Sequence, residues 1–376
     1  MKMTGKRPIH MAFISDIHLG HRRTKTEDII KGLDAAFPMN DDTAALDIVF
    51  IVGDVFDTIL TLPSAEAVQI KLWMYNFLFM CHRYDIVLVV LEGTPSHDRG
   101  QSAEFIRIQQ IMTHPVECYY QNTLSILHLD KWDIDILCIP DECRNTHDLI
   151  WSDTQKLLYQ HNIEKVDITL MHGMFEYQVP KGVMLSAHKE DNYLGITRAY
   201  ISIGHFHVYS RYARIFAQGS FDRLAQGEEQ PKGYVRIVLN GEYASDKDTF
   251  VFIPNTMAKL YKTYNVTTDN ITDVITQAAK LPIDSYICFK TEKDATELQS
   301  LTAFKRVSTE YHVTIKTERS KTESTLKEFI YTTDNLSLTP KVLPGVLIDR
   351  LIAQEVDITT IDSAREMLET ATEVLK

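Results

Sequence analysis

Basic residues are in short supply: 39 Lys and Arg stand against 51 Asp and Glu across 376 residues, a formal charge of −12. That balance excludes a protein that grips nucleic acid through a broad basic face. Long apolar runs are missing as well, the longest being Ile86–Leu91, far short of the roughly 18–20 residues that cross a bilayer. No transmembrane helix is expected. Lys2, Lys6 and Arg7 precede an apolar stretch, Met11–Ile14, that is too short for a signal peptide before Asp16, so the expected location is cytoplasmic. The five cysteines, Cys81, Cys118, Cys138, Cys143 and Cys288, form no C-x-x-C pair, which argues against a thiolate zinc site and suits a reducing compartment. There is no internal repeat, no low-complexity segment and no G-x-x-x-x-G-K-[ST] loop, so ATP binding through a Walker motif is excluded.

What is present is an ordinary core-forming chain, 44% apolar, with room for two or three domains. Short β-rich runs alternate with helical stretches: Ile9–Ser15, Asp47–Val52, Ile86–Leu91, Ile134–Ile139, Asp167–Met171, Tyr200–Ile203, Ile215–Ala217 and Tyr234–Leu239. Such alternation predicts a layered α/β domain over residues 1–250. Ser64–Tyr84 reads as a buried helix opened by its Ser, with Trp73, Tyr75, Phe77 and Phe79 as core packing. Residues 255–323 predict a small α+β domain, a βαββαβ-like sandwich with strands at Tyr261–Val266, Tyr286–Thr291 and His312–Thr317 and helices at Ile271–Ala279 and Ala295–Thr309. Residues 336–376 hold two amphipathic helical stretches, Gly345–Gln354 and Thr359–Leu375. The acidity is concentrated before residue 251, with 24 Lys and Arg against 33 Asp and Glu, compared with 15 against 18 after it.

Five predicted strand ends carry metal-ligand side chains: Asp16 and His18 in SDIHLG, Asp54 in VGDVFD, Ser96-His97-Asp98 in GTPSHDRG, His172 in LMHGMF, and His205 and His207 in IGHFHV. An open α/β sheet offers ligands there because its loops converge on a crevice while the strands hold them rigid. On an extended backbone a D-x-H or H-x-H tripeptide places both side chains on one side, which predicts that each pair faces one cluster.

The order D-x-H, G-D-x-x-D, H-D, single His, G-H-x-H resembles the calcineurin-like metallophosphoesterases, and the forms SDIHLG and GDVFD with Asp57 resemble the SbcD-like nuclease subunits among them. The resemblance covers residues 14–208 and implies an αββα-type sandwich with a small capping domain and C-terminal helices. It further implies two divalent ions, Mn²⁺ being favoured by the mixed carboxylate and imidazole set although the identity stays open. One ion falls to Asp16, His18, Asp54 and His207, the other to Asp54, Ser96, His172 and His205, with a bridging hydroxide as nucleophile. His97 then either donates a proton to the leaving oxygen or stabilises charge developing there, with Asp98 as its orienter, the other reading being a plain loop residue. Asp57 either supports a ligand or caps the following turn, and His21 is a solvent-facing loop residue. The family form of the third motif is G-N-H-D, whereas this chain has two extra residues; either Ser96 stands at the Asn position, or Pro95 reshapes the loop and another group supplies the ligand.

The implied function is a two-metal DNA exo/endonuclease subunit that acts on double-stranded ends in recombination or repair. The implied partners are DNA, an SMC-like ATPase subunit and a second copy of the chain, with no membrane. The helical stretches in 336–376 either dock the ATPase or pack on their own domain. Two other readings stay open: a phosphodiesterase acting on a small nucleotide-type substrate, and a non-catalytic scaffold that binds DNA ends.

Overall fold

The computed structural model describes residues 8–61, 64–141, 146–180, 182, 186–291 and 296–317. Cys143 and the stretches expected to be helical in 336–376 lie outside them. Residues up to Thr291 together with Ala295–Lys316 form one compact unit; the second unit, Glu292–Asp294 with Thr317–Lys376, falls outside the described residues apart from Thr317.

The apolar runs become the centres of two mixed six-stranded sheets. The first uses β1 (Ile9–Ile14), β2 (Ile48–Val52), β3 (Val87–Leu91) and β4 (Cys118–Gln121), all parallel. The second uses β5 (Ser125–Leu129), β6 (Ile134–Ile139), β7 (Val166–His172), β8 (Thr197–Gly204), β9 (Ser210–Tyr212) and β10 (Ile215–Ala217), in the order β5-β6-β7-β8-β10-β9. The chain then returns to the first sheet through β11 (Gly233–Leu239), which pairs antiparallel with β1, and β12 (Thr249–Pro254), which pairs antiparallel with β11. β12 straddles the expected boundary at residue 250, so the large sheet structure runs to Pro254.

Both faces of β1 to β3 are covered, which explains why these strands read as unbroken apolar runs. Met11, Phe13, Phe50, Val52 and Val89 face the second sheet, packing with Ile136, Ile168, Leu170 and Phe216. Their neighbours Ala12, Ile14, Val49, Ile51, Leu88 and Val90 face helices. Those helices are α1 (Thr26–Ala36), the single turn α2 (Asp41–Ala44), α3 (Ala65–Tyr84) and α4 (Glu104–Ile111). α5 (His147–Gln160) and α6 (Glu190–Ile196) cover the far face of the second sheet through Leu158 and Tyr193.

Ser64 caps α3, its Oγ accepting from Ala67 N at 3.1 Å. Of the four α3 aromatics expected in the core, Trp73 and Phe77 are buried, whereas Tyr75 and Phe79 are exposed. With Val68 and Leu72 they form an outward apolar stripe, because residues two apart lie about 200° apart around a helix.

The small domain has the three expected strands, β13 (Tyr261–Val266), β14 (Tyr286–Thr291) and β15 (His312–Thr317), in that order, and among the described residues no fourth strand completes a βαββαβ unit. After α7 (Ile271–Ala278), the helix expected over 295–309 breaks into α8 (Thr296–Ser300) and α9 (Thr302–Glu310), because Leu301 is extended. Ile275, Ile287, Phe289, Phe304 and Val307 give this sheet its own core. Tyr286 Oη donates to Arg23 O at 2.7 Å, and Tyr261 Oη lies 2.9 Å from Thr24 Oγ1, tying the small sheet to the loop after β1. Among the described residues no helix is long and apolar enough to cross a membrane.

Candidate metal centre

Strand ends from both sheets meet at one point. β1 leads to Asp16 and His18, β2 to Asp54, β3 to the 93–100 loop, β7 ends on His172, and β8 leads to His205 and His207. The ligand atoms of Asp16, His18 and His207 lie within 4.8 Å of one another, as do those of Asp54, His172 and His205. Asp54 stands between the two groups, with Oδ2 3.9 Å from His18 Nε2 and 3.3 Å from His172 Nε2. Seven of the nine residues singled out in the sequence are thus placed at or against the centre: these six ligand-type residues and His97, whose ring centroid is 4.9 Å from that of His18.

The local backbone does not follow the strand period. Asp16, His18, Asp54 and His205 have φ of 50°, 54°, 52° and 92°, in or near the left-handed region that costs a non-glycine residue energy. The D-x-H pair is therefore gathered by a left-handed turn beyond β1, not by alternation along it. Cross-loop hydrogen bonds hold this shape: Ile17 N and His18 N donate to Asp54 O at 2.8 and 3.1 Å, and Leu19 N to Val55 O at 2.8 Å. Two glycines make room for it. A Cβ on Gly53 would run into the His172 imidazole, and one on Gly93 into Asp54.

The third motif departs from expectation in two respects. Thr94, not Ser96, brings its hydroxyl to the second group, with Oγ1 3.2 Å from Asp54 Oδ2, 3.3 Å from His172 Nε2 and 3.2 Å from His205 Nδ1. Its amide also donates to Asp54 Oδ1 at 2.6 Å. Ser96 takes part through its carbonyl, which accepts from Arg99 Nε at 3.3 Å. The two extra residues therefore follow the ligand position instead of preceding it. Asp98, second, does not orient His97. It is fully buried and its carboxylate accepts from Phe56 N at 2.9 Å and Gly93 N at 2.8 Å, closing the loop on itself. Burial, with the Asp54 and Glu92 carboxylates adding to it, pushes its carboxyl up to about 8.

His97 is oriented instead by Asp57, whose carbonyl oxygen lies 2.8 Å from His97 Nδ1, while the Asp57 carboxylate lies 3.2 Å from His18 Nδ1. Asp57 thus serves both imidazoles. His21 Nδ1 accepts from Thr24 N at 3.0 Å and shapes the loop. A further carboxylate, Glu228, lies 3.2 Å from His207 Nδ1, and no motif spacing announces it.

Burial raises the Asp54 carboxyl, but the His172 and His18 imidazoles and the Thr94 amide outweigh it and hold it below the usual range. Burial lowers His172, and Asp54 more than reverses that. Burial and the neighbouring His172 lower His205. A set of two carboxylates and four imidazoles at two adjacent points, with Asp16, His18, Asp54 and His172 buried and His205 and His207 half-buried, fits divalent cations, whose charge relieves the burial of Asp16 and Asp54.

Neither a family model nor a curated protein matches the chain. One solved crystal structure covers 65% of this chain and 100% of its own length at 11% identity, with a TM-score of 0.39.

Proposed function

We propose that the chain is a two-metal phosphodiesterase with the metallophosphoesterase architecture, acting on DNA as an SbcD-like nuclease subunit. One observation carries the reading: Asp54, grouped with His172 and His205, also lies 3.9 Å from His18 of the adjoining Asp16, His18 and His207 group, and His97 stands against that group, gathered with His18 and Asp57. Asp16, His18 and His207 would hold one divalent ion, and His172, His205 and the Thr94 hydroxyl the other, with Asp54 common to both. Bound there, such ions would polarise a phosphoryl oxygen and acidify water. His97 supplies what the ions do not. Its Nδ1–H is held by the Asp57 carbonyl, which leaves Nε2 free to face the departing sugar oxygen, to which the ring as imidazolium donates its second proton. Asp98 and Glu92 keep that imidazole in place by holding the loop, since Glu92 accepts from Gly100 N and from Tyr120 Oη.

The test is release of nucleotides from linear double-stranded DNA with Mn²⁺. His97→Ala should lower the rate about 10²- to 10⁴-fold while leaving Mn²⁺ binding intact. Wild-type protein that cuts only a small chromogenic diester would replace DNA by a small phosphodiester as substrate. Absence of any hydrolysis with every metal, despite metal binding, would leave the scaffold reading.

A further inference from the structure

His207 is held at two points by a linked pair, Glu228 and Lys232. Its Nδ1 faces one oxygen of Glu228 at 3.2 Å, the other oxygen accepts from Lys232 Nζ at 2.9 Å, and the same ammonium donates to the His207 carbonyl oxygen at 2.8 Å. Leu224 N at 3.1 Å fixes the carboxylate from a further side. Lys232 is only 2% exposed, and an ammonium persists at such a place only with partners. A buried ion pair is a costly way to hold a loop; what this one delivers is the orientation of an imidazole. With Nδ1–H given to Glu228, the lone pair is on Nε2, the atom 3.2 Å from His18 Nε2 and 3.8 Å from Asp16 Oδ1.

The other imidazole of this group, His18, has the Asp57 carboxylate behind its Nδ1 at 3.2 Å. Both histidines of the group are therefore backed by carboxylates. In the second group the nitrogen behind His172, Nδ1, meets the neutral carbonyl of Val52 at 2.9 Å, while His205 turns its Nδ1 inward, 3.2 Å from the Thr94 hydroxyl. Carboxylate backing fixes the tautomer and raises the basicity of a ligand nitrogen, so the two groups differ in strength although their ligand types are alike.

We infer that Glu228, anchored by Lys232, is a positioning residue for His207 and makes the Asp16, His18 and His207 group the tighter of two unequal divalent-cation sites. The inference rests on the two-cation reading above.

Calorimetric titration of the full chain with Mn²⁺, without DNA, tests it. Wild type should show two steps of unequal affinity, and Glu228→Gln should weaken the tighter step roughly 10- to 100-fold while sparing the weaker. Because that variant leaves the Lys232 charge buried alone, the double variant Glu228→Gln with Lys232→Met is titrated beside it. The same loss is expected. Wild-type affinity in the double variant would reduce Glu228 to a counter-ion for Lys232 and overturn the inference, as would an unchanged tight step in the single variant. Long-range ¹⁵N NMR of the metal-free wild type at alkaline pH should find His207 with its proton on Nδ1; a proton on Nε2 also overturns it. Two equal steps in wild type would defeat the inequality alone, whereas no Mn²⁺ binding at all would defeat the two-cation reading beneath it.

Discussion

The two large sheets bring chemically different halves to the centre. The first supplies both buried carboxylates, Asp16 and Asp54, together with His18 and, from its loops, Thr94 and His97; the second supplies three imidazoles, His172, His205 and His207. Neither half is a site. The carboxylates alone would be a buried pair of like charges, and the imidazoles alone would lack the negative charge that draws a hard cation inward. Packing Phe13, Phe50 and Val89 of one sheet against Ile168 and Phe216 of the other is therefore also what brings these carboxylates and imidazoles together. Asp54 is the point of contact between the halves, accepting the Thr94 amide on its own side and facing His172 across the interface.

The contrast can be broken most severely at that residue. Asp54→Asn should abolish both Mn²⁺-binding steps in a calorimetric titration, a loss beyond the roughly 10- to 100-fold that an outer partner commands, whereas His205→Ala should remove one step and leave the other. Equal damage from the two variants would show that the halves are not joined through Asp54. A smaller effect is expected on the first sheet's side, where Thr94→Asn exchanges a hydroxyl for an amide carbonyl, the better donor to a hard cation. The weaker Mn²⁺ step should tighten by on the order of 1 kcal/mol, roughly fivefold; a weakened step would mean that the added bulk outweighs the donor.

A further effect concerns acid, and stability in place of binding. His188, buried on the imidazole side with its ring 4.1 Å from that of His147, is lowered to about 3 by burial and by that neighbour. Its folded value lies below the ordinary 6.5, so the unfolded chain binds the proton more readily and stability falls as pH drops from about 6.5 toward 3. Urea midpoints between pH 7 and 4.5 should decline less steeply in His188→Gln than in wild type, by at most about 1.4 kcal/mol per pH unit. Parallel declines would clear His188 of any part in acid sensitivity.

Much of this was legible before the structure. The strands buried on both faces announce themselves as apolar runs, and the ligand-bearing residues at their ends fall where the motifs put them. β4, β5, β9 and β12 did not: the first three hold no more than three apolar residues in a row, and β12, although it carries Phe250 to Ile253, keeps Thr249, Val251 and Pro254 exposed. The outward pair on α3 was open to the helical period, since Trp73 and Phe77 are four apart and Tyr75 and Phe79 lie two residues off that line. Thr94 was hidden by a counting ambiguity: two extra residues can be placed before or after the ligand, and only the folded loop decides. Glu228 lies 21 residues from His207 in sequence, in a loop without periodicity, so nothing short of the fold could bring it forward.

The left-handed turns at the centre carry a consequence for how these positions can change. A side chain hung on such a backbone points where an extended strand cannot send it, and aspartate and histidine are among the few residues that enter that conformation at modest cost. Valine or isoleucine at position 16, 18 or 54 would be refused by the main chain before the loss of a donor atom was felt. Two independent filters, one of shape and one of chemistry, thus guard the same three codons, and asparagine is the substitution most able to pass the first while failing the second.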